Sequence, residues 1–429
     1  MILTFASLLA GCAAGIGPET REIVLMALMA VADALAAVLD GVEPLPEQTV
    51  DLEAAHRRVL ARDLASRRTQ PPVAMSAMDG YAVRAADIGA IPARLHVIGE
   101  IAAGRPLERA LQPGEALRIF TGGVVPDSAD TVVIQEDTER DGDHVIVKEA
   151  TAAGKNIRAA GVDFREGDVL LLAHSRLTDR HLSLAAGMNY PDLPVHRRPK
   201  VAVLATGDEL VLPGTTPGPG QIILSNGYGL RALARSEGAE AIDLGVVADT
   251  MEATTAAIRR ASDSGADILI TTGGASVGDH DFVKRAMEAE GVEIAFWRIA
   301  LRPGKPMMHG SLGAMRVIGL PGNPVSSYIC AFLFMVPLIR ALSGRQDVHH
   351  RVERAILGGD VAANQARQDY LRARLAHPAD GLPIATPVGH QDSSLLGNLA
   401  AAEALIVRAP FAPATPKGEP CDIIKLSLS

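Results

Sequence analysis

Asp267-Ile268-Leu269-Ile270-Thr271-Thr272-Gly273-Gly274-Ala275-Ser276-Val277-Gly278-Asp279-His280-Asp281 is the stretch that decides how this chain folds. It reads as a short apolar strand that runs into a glycine-rich turn and then into a helix. The glycines have no Cβ, so a ligand can approach the backbone closely. The helix that follows offers unpaired N–H groups and a positive dipole end to an anion. Asp279 and Asp281 suit a phosphate only if a divalent cation sits between them, and Mg²⁺ binds in that way, through one or two carboxylates plus phosphate oxygens. The segment points to a nucleotide-like phosphate with a metal.

Working outward, strands and helices alternate on both sides of this turn. Lys200 to Ala205 reads as a buried strand, Asn226 to Glu237 as a helix closed by Gly238, and Glu240 to Val246 as a strand. A helix from Thr250 to Ser264 precedes the 267–272 strand. A helix from Asp281 to Glu290, a strand from Glu293 to Ala300, a strand from Arg316 to Leu320 and a helix through Leu342 follow it. This alternation predicts a parallel, doubly wound α/β sheet with helices on both faces. Residues 26–66 read as one or two helices, the first from about Met29 to Gly41 and the second from Leu52 to Leu64. Residues 70–165 are short alternating runs broken by Gly and Pro, hence β-rich. A helix from Asp179 to Gly187 leads on to Arg197-Arg198-Pro199, and from His349 the chain returns to short strands. The expected fold is a multidomain α/β protein: a central doubly wound α/β domain, flanking β-rich domains and an N-terminal helical segment. The expected divisions are 1–25 as a non-native or disordered extension, 26–67 with 168–197 as a helical dimerisation or linker domain, 68–167 as a β-rich lobe, 198–347 as the α/β domain, and 348–429 as a C-terminal β-barrel-like domain.

With 429 residues the chain is too long for one core. Its net charge of −9 and its 3% aromatic content argue against a nucleic-acid surface or a base-stacking platform. Cys12, Cys330 and Cys421 form neither a CxxC nor a zinc spacing, so a reducing cytoplasm fits best. The apolar start ends in Leu9-Ala10-Gly11-Cys12, which resembles a lipoprotein cleavage box. A secretory signal needs a positive n-region, however, and no Lys or Arg precedes Arg21. The native start is therefore expected near Met26 or Met29. No run reads as a clean membrane span.

In open α/β sheets ligands bind beyond the carboxyl ends of the strands. Four polar or Gly/Pro-rich segments follow such ends: Thr206-Gly207-Asp208-Glu209, the Gly273 turn, Arg302-Pro303-Gly304-Lys305 and Pro321-Gly322-Asn323-Pro324. The first reads either as a helix cap with a solvated acid or, beside Asp279 and Asp281, as part of a metal site. Arg302 and Lys305 read as a solvated basic turn or as an oxyanion cradle, which Arg298 could join. The Pro321 turn shapes the start of a helix, and its N–H groups could line a pocket. In the first half, Ser76 to Ala82 with Asp79, and Thr121-Gly122-Gly123, read as tight polar turns. There is no Walker A motif, which disfavours P-loop chemistry.

Taken in order, these motifs resemble the molybdopterin molybdenumtransferase family, which includes MoeA and the E domain of gephyrin. The resemblance is carried by Ser76 to Val83, Phe120-Thr121-Gly122, Asn156-Ile157-Arg158 with Gly161 and Asp163, Thr206 to Leu210, Gly273 to Asp279, Pro303 to Pro306 and Gly319 to Ser326. It runs from about Met29 to the C-terminus. It implies an elongated homodimer of four-domain subunits, whose cleft lies between the α/β domain of one copy and the β domain of the other. The implied reaction takes adenylyl-molybdopterin and molybdate to molybdenum cofactor and AMP, assisted by Mg²⁺. The resemblance assigns Asp79, Thr121, Asp163, Glu209, Asp249 and Asp281 to the cleft, with Asp79, Glu209, Asp279 and Asp281 as metal ligands. Substrate contacts are expected from Gly273, Gly274, Ser276, Gly278, Pro321, Gly322, Asn323 and Pro324. Molybdate contacts are expected from Arg298, Arg302, Lys305, Pro306, Arg372 and Ser393 or Ser394. The family often has Lys where this chain has Arg298 and Arg302, and Gln391-Asp392-Ser393-Ser394 departs from the commoner Gly-Ser pattern.

The cysteine, charge and hydropathy readings above place the protein in the cytoplasm, away from membranes and nucleic acids, and contacts with the adenylyltransferase and recipient molybdoenzymes are expected from the resemblance. Two other readings remain at this point: the adenylyltransferase itself or a nucleotide pyrophosphatase on the same α/β domain, and a scaffold that has kept the fold without activity.

Overall fold

The computed structural model describes residues 28–105, 107, 109–273 and 282–426. The Gly274, Ser276, Gly278, Asp279 and Asp281 expectations, and those for residues 1–25, lie outside these. The chain divides into two compact units: residues 49–56 with 62–194, and residues up to 48, 57–61 and from 195 onward.

The 49–194 unit is built on a six-stranded sheet. Its order is Thr131–Ile134, Gly80–Val83, Glu115–Ile119, Ala93–Ile101, His144–Val147, Thr138–Asp141. Side chains alternate across a strand. Tyr81 and Val83 therefore join one buried cluster with Leu95, Val133 and Val145, while Ala82 joins another with Ile101, Leu117 and Val132. Glycine is required at position 80, where a Cβ would fall on the Val133 carbonyl oxygen. Outside the sheet, Met75–Ser76 pairs with Ile157–Arg158, and helix Asp179–Gly187 starts at a Thr178 capping box.

The helix expected from Leu52 to Leu64 does not form. The Asp51 carboxylate accepts the Ala54 N–H at 2.7 Å and closes a turn instead. Arg57, at φ 62°, is left-handed, which no α-helix accommodates. Leu64 lies in a two-residue strand that pairs with Val169–Leu171. The first expected helix is present as Val31–Leu39.

The other unit holds the α/β sheet. Its order is Glu240–Val247, Lys200–Thr206, Ile268–Thr272, Met315–Leu320, Met308–Leu312, Glu293–Phe296. The first four strands are mutually parallel. Chain order reverses beside Lys200–Thr206: one crossover leads to its Glu240 neighbour and the next to its Ile268 neighbour. The sheet is not wholly parallel as expected, because Met308–Leu312 runs antiparallel to both of its neighbours. It forms a hairpin with Met315–Leu320 in which Leu312 pairs with Met315 and Gly313 (φ 57°) opens the two-residue loop. The strand expected from Glu293 to Ala300 also stops early, at Phe296. Leu301–Arg302 belongs to a different sheet, pairing in parallel with Gln368–Ala376.

Helices cover both faces, and two buried clusters result. One contains the helical run Pro324–Leu342, of mean hydropathy 1.9 and 89% buried. Its length and composition would suit a membrane, but the run is spent inside the core of its unit. A π turn, Ala331–Met335, interrupts it, and the Val336 N–H reaches back five residues to the Ala331 carbonyl. Pro337 has no N–H to continue a regular ladder, and the wider turn accommodates it. In the C-terminal region Gln368–Ala376, Ile384–Pro387, Glu353–Leu357, Pro420–Lys425 and Ala404–Arg408 pair in sequence, and the last pairs back to the first. This small closed sheet surrounds Ala355, Leu357, Ala373, Ala385, Ile406 and Ile423.

Candidate active site

Three adjacent parallel strands end at Thr206, Thr272 and Leu320. Beyond their carboxyl ends lies a cavity of about 680 Å³, at the point where chain order reverses. Glu209, Gly273, Pro306, Pro321, Gly322, Asn323, Pro324 and Ser394 are among its walls, with Leu210, Ile222, Ile223 and Leu224 as an apolar side. Gly273 has φ 92°, and a Cβ there would fall on the Thr206 carbonyl oxygen. The Asn226 amide donates to the Gly322 carbonyl at 2.8 Å, tying a helix start to the Pro321 turn.

A second cavity of about 510 Å³ shares Pro306, Asn323 and Ser326 with the first. Its walls are Arg302 to Pro306, Asn323, Ser326, Arg367 and Gln391 to Ser393. The Asn323 amide donates to the Ser393 hydroxyl at 2.9 Å, and the Val325 N–H to the Ser393 carbonyl at 3.1 Å. Asp392 accepts from the N–H and hydroxyl of Ser394 at 2.8 and 2.6 Å, which holds its carboxyl below the usual range. The Arg302 guanidinium lies 3.7 Å from the nearly buried Asp369 carboxylate. Under the loop, Gly304 (φ 124°) rests on the Cys330 thiol so closely that no Cβ fits.

Glu209 shares its corner with two further carboxylates. The Asp249 N–H donates to Asp208 at 3.3 Å. Burial, then the neighbouring Asp208 and Glu209, push the Asp249 carboxyl above its ordinary range. Among the described residues no three His, Cys, Asp or Glu are grouped so as to hold a metal.

In the other unit, Asp79 Oδ1 accepts from the Thr121 N–H at 2.7 Å and the Thr121 hydroxyl at 2.8 Å. These two bonds hold its carboxyl below the usual range. The turn beneath is tied by hydrogen bonds: the buried Ser76 hydroxyl donates to the Met78 carbonyl, and the Gln135 N–H donates to the Asp79 carbonyl. Asp163 is exposed, its N–H donating to the Gln70 carbonyl at 3.1 Å.

Two expected anion contacts are not among the residues that line these two cavities. Arg298 lines neither cavity, and its carbonyl accepts the Met29 N–H at 3.0 Å. Arg372 is fully buried, donating to the Gln391 side chain and to the Asp392 and His390 carbonyls, and it lines neither cavity. Sequence reading missed Arg367, Ser326 and the apolar side at 222–224. Arg367 has no motif around it, and a pocket's apolar wall looks like any other loop.

The class is therefore a multidomain α/β protein with its site at the sheet's reversal point, where a nucleotide-sized slot opens into a basic pocket. Three stretches match described families: residues 29–188 the MoeA N-terminal region (domain I and II), 202–341 a probable molybdopterin binding domain, and 354–426 the MoeA C-terminal region (domain IV). The chain is 37% identical to the molybdopterin molybdenumtransferase of a Nostoc species, covering 84% of each chain. It is 36% identical to that of Bacillus subtilis, covering 83% of this chain and 85% of the relative. A crystal structure described as the molybdopterin biosynthesis MoeA protein from Pyrococcus horikoshii superposes with a TM-score of 0.81 at 30% identity, covering 94% of this chain and 100% of that one. The chain belongs to the molybdopterin molybdenumtransferase family.

Proposed function

We propose that this chain inserts molybdenum into adenylyl-molybdopterin, taking it with molybdate to molybdenum cofactor and AMP. The observation that carries this reading is the pair of joined cavities. The larger, with its glycine-lined floor and apolar side, suits a pterin nucleotide. The smaller, lined by Arg302, Lys305 and Arg367, suits a tetrahedral dianion. Asn323 and Pro306, common to both, are where nucleotide and oxyanion would meet. The dithiolene sulfurs that receive molybdenum belong to the substrate, so the protein needs no thiolate cluster.

Each residue's task follows from its chemistry. Gly273 and Gly322 let the substrate approach the backbone. Arg302 and Lys305 bind and orient molybdate. Glu209 faces the slot, and Asp79, ionised and aimed by Thr121, is assigned to the same reaction by the resemblance. Mg²⁺ belongs to this proposal as an ion shared with substrate. Glu209, with Asp279, Asp281 and, by the resemblance, Asp79, would hold it. Bound there, the ion would neutralise charge on the pyrophosphate bridge. A homodimer, a cytoplasmic location, the five-segment domain division and contacts with the adenylyltransferase and recipient enzymes complete the reading.

The test is AMP release with molybdenum insertion by the purified chain. Glu209→Ala and Asp79→Ala should stop AMP release while the thermal transition stays cooperative. Normal insertion by either variant would overturn the site assignment. ATP-dependent adenylylation of metal-free molybdopterin by the wild type would favour the adenylyltransferase reading instead. Sedimentation equilibrium checks the dimer.

A further inference from the structure

We propose that His96 and His144 form a binding site for a divalent transition-metal ion, Zn²⁺ in the first place, on the sheet of the 49–194 unit. The site uses none of the residues given to the reaction above and does not rest on that reading. The two histidines stand directly opposite each other on the antiparallel strands Ala93–Ile101 and His144–Val147. The Val97 N–H donates to the Asp143 carbonyl at 2.8 Å, so 97 and 143 are a hydrogen-bonded pair. Along an antiparallel ladder such pairs alternate with non-hydrogen-bonded ones, in which the side chains come closer. His96 and His144, one step along, are a pair of the closer kind. Leu95 and Val145 point into a buried cluster, which leaves the two histidines together on the opposite face of the sheet.

Their separation suits one shared ion. Zn–N bonds are about 2.0–2.1 Å long, so two imidazoles on a tetrahedral ion have ring centroids roughly 5 Å apart. The His96 and His144 centroids are 5.3 Å apart, with the rings tilted by 47°. His181, His196, His309 and His350 each set a ring nitrogen against a backbone carbonyl, whereas His96 and His144 set their rings against each other.

The register extends the row on both sides. Asp141 stands opposite His144 on the next strand, and Glu115 stands beside His96 on the other neighbour. Glu115 is committed, its Oε1 accepting from Arg109 at 2.8 Å and its Oε2 from the Gln112 N–H at 2.9 Å. Asp141 is turned to Arg94 at 3.2 Å, in a pair more than half exposed on both sides. Such pairs contribute little, and a change of rotamer brings the carboxylate to the imidazole opposite it. The ligand set is then two imidazoles and one carboxylate, with water in the fourth position. Thr138–Asp141 is the last strand of its sheet, so the ion would pin this edge hairpin to the strand within.

The experiment is calorimetric titration of ZnCl₂ into the full chain, with saturating MgCl₂ present to occupy the carboxylates assigned to Mg²⁺. Wild type should give a saturable isotherm. His96→Gln and His144→Gln should each weaken zinc binding by roughly tenfold or more, since losing even an outer partner of a ligand costs about 10–100-fold. The double variant should lose little beyond either single one, because the pair acts as a unit. Zinc should raise the thermal transition of wild type and leave that of the variants in place. Without added zinc, all three variants should melt and release AMP as wild type does. Zinc affinity within twofold of wild type in either single variant overturns the proposal, as does a wild type with no saturable site. Additive losses in the double variant also overturn it, since they mark two separate sites.

Discussion

Asp79 Oδ1 takes two hydrogen bonds from one residue, the Thr121 N–H at 2.7 Å and the Thr121 hydroxyl at 2.8 Å. Both favour the ionised carboxylate, and its native pKa is lowered accordingly. Such a group adds stability above its unfolded pKa, and that stability is lost as pH falls through the native value. Thr121→Val removes the hydroxyl and keeps the N–H. The Asp79 carboxyl should then titrate at higher pH, read from its ¹³C chemical shift, and AMP release should fall while the fold persists. An unmoved Asp79 titration would mean that the hydroxyl bond has no weight in solution.

Gly273 sits at φ 92°, with the Thr206 carbonyl oxygen where a Cβ would go. Gly273→Ala meets both a left-handed backbone and a backbone clash. The conformational term alone is about 1–2 kcal/mol, and crowding in a packed site adds about 1–3 kcal/mol. Urea unfolding should show a loss on the order of 2 kcal/mol or more. AMP affinity should fall as well, since the displaced turn floors the larger cavity. Wild-type stability in this variant would show that the turn relaxes freely.

Asp249 behaves oppositely to Asp79. Burial, Asp208 and Glu209 raise its pKa. A carboxyl raised in the native state favours folding while protonated, and that advantage is lost as pH rises through the native value. Asp249→Asn should therefore melt higher than wild type at pH 7 and converge with it in acid, below the ordinary carboxyl range. AMP release should drop in the same variant, the usual exchange of stability for a charged site. A variant that melts lower at pH 7 would show that the ionised carboxylate is favourably held.

The parallel core of the fold was legible because its strands are continuous apolar runs bounded by turns, as Lys200–Thr206 and Ile268–Thr272 are. Leu52 to Leu64 misled for a local reason. Leu52, Ala55, Val59 and Leu60 have helical spacing, but the Asp51 carboxylate closes a turn on Ala54 and Arg57 leaves the right-handed region. The Met308–Leu312 strand was missed although its hairpin signal is present, Gly313 standing first in a two-residue loop between Leu312 and Met315. Of the site, Glu209 and Gly273 were visible as segments that follow strand ends, and Arg302 and Lys305 as a basic Pro-Gly turn. Arg367 was not, because only the pairing of Asp369 with Arg302 brings its strand to the cavity.

His309 is 2% exposed, with Nδ1 3.1 Å from the Val317 carbonyl, and burial pushes its pKa down to about 4. A histidine depressed in the native state contributes stability above its unfolded value near 6.5, and that stability is lost as pH falls toward the native value. The difference corresponds to about 3 kcal/mol at 1.36 kcal/mol per pH unit. Unfolding free energy should therefore decline between about pH 6.5 and 4, steeply for a chain whose total stability is on the order of 5–15 kcal/mol. His309→Gln keeps a donor and an acceptor but does not titrate, so its stability curve should be flatter over that window and lower at pH 7. Parallel curves for the two proteins would assign the acid sensitivity to other groups, of which His350, also pushed down to about 4 by burial, is the first to examine.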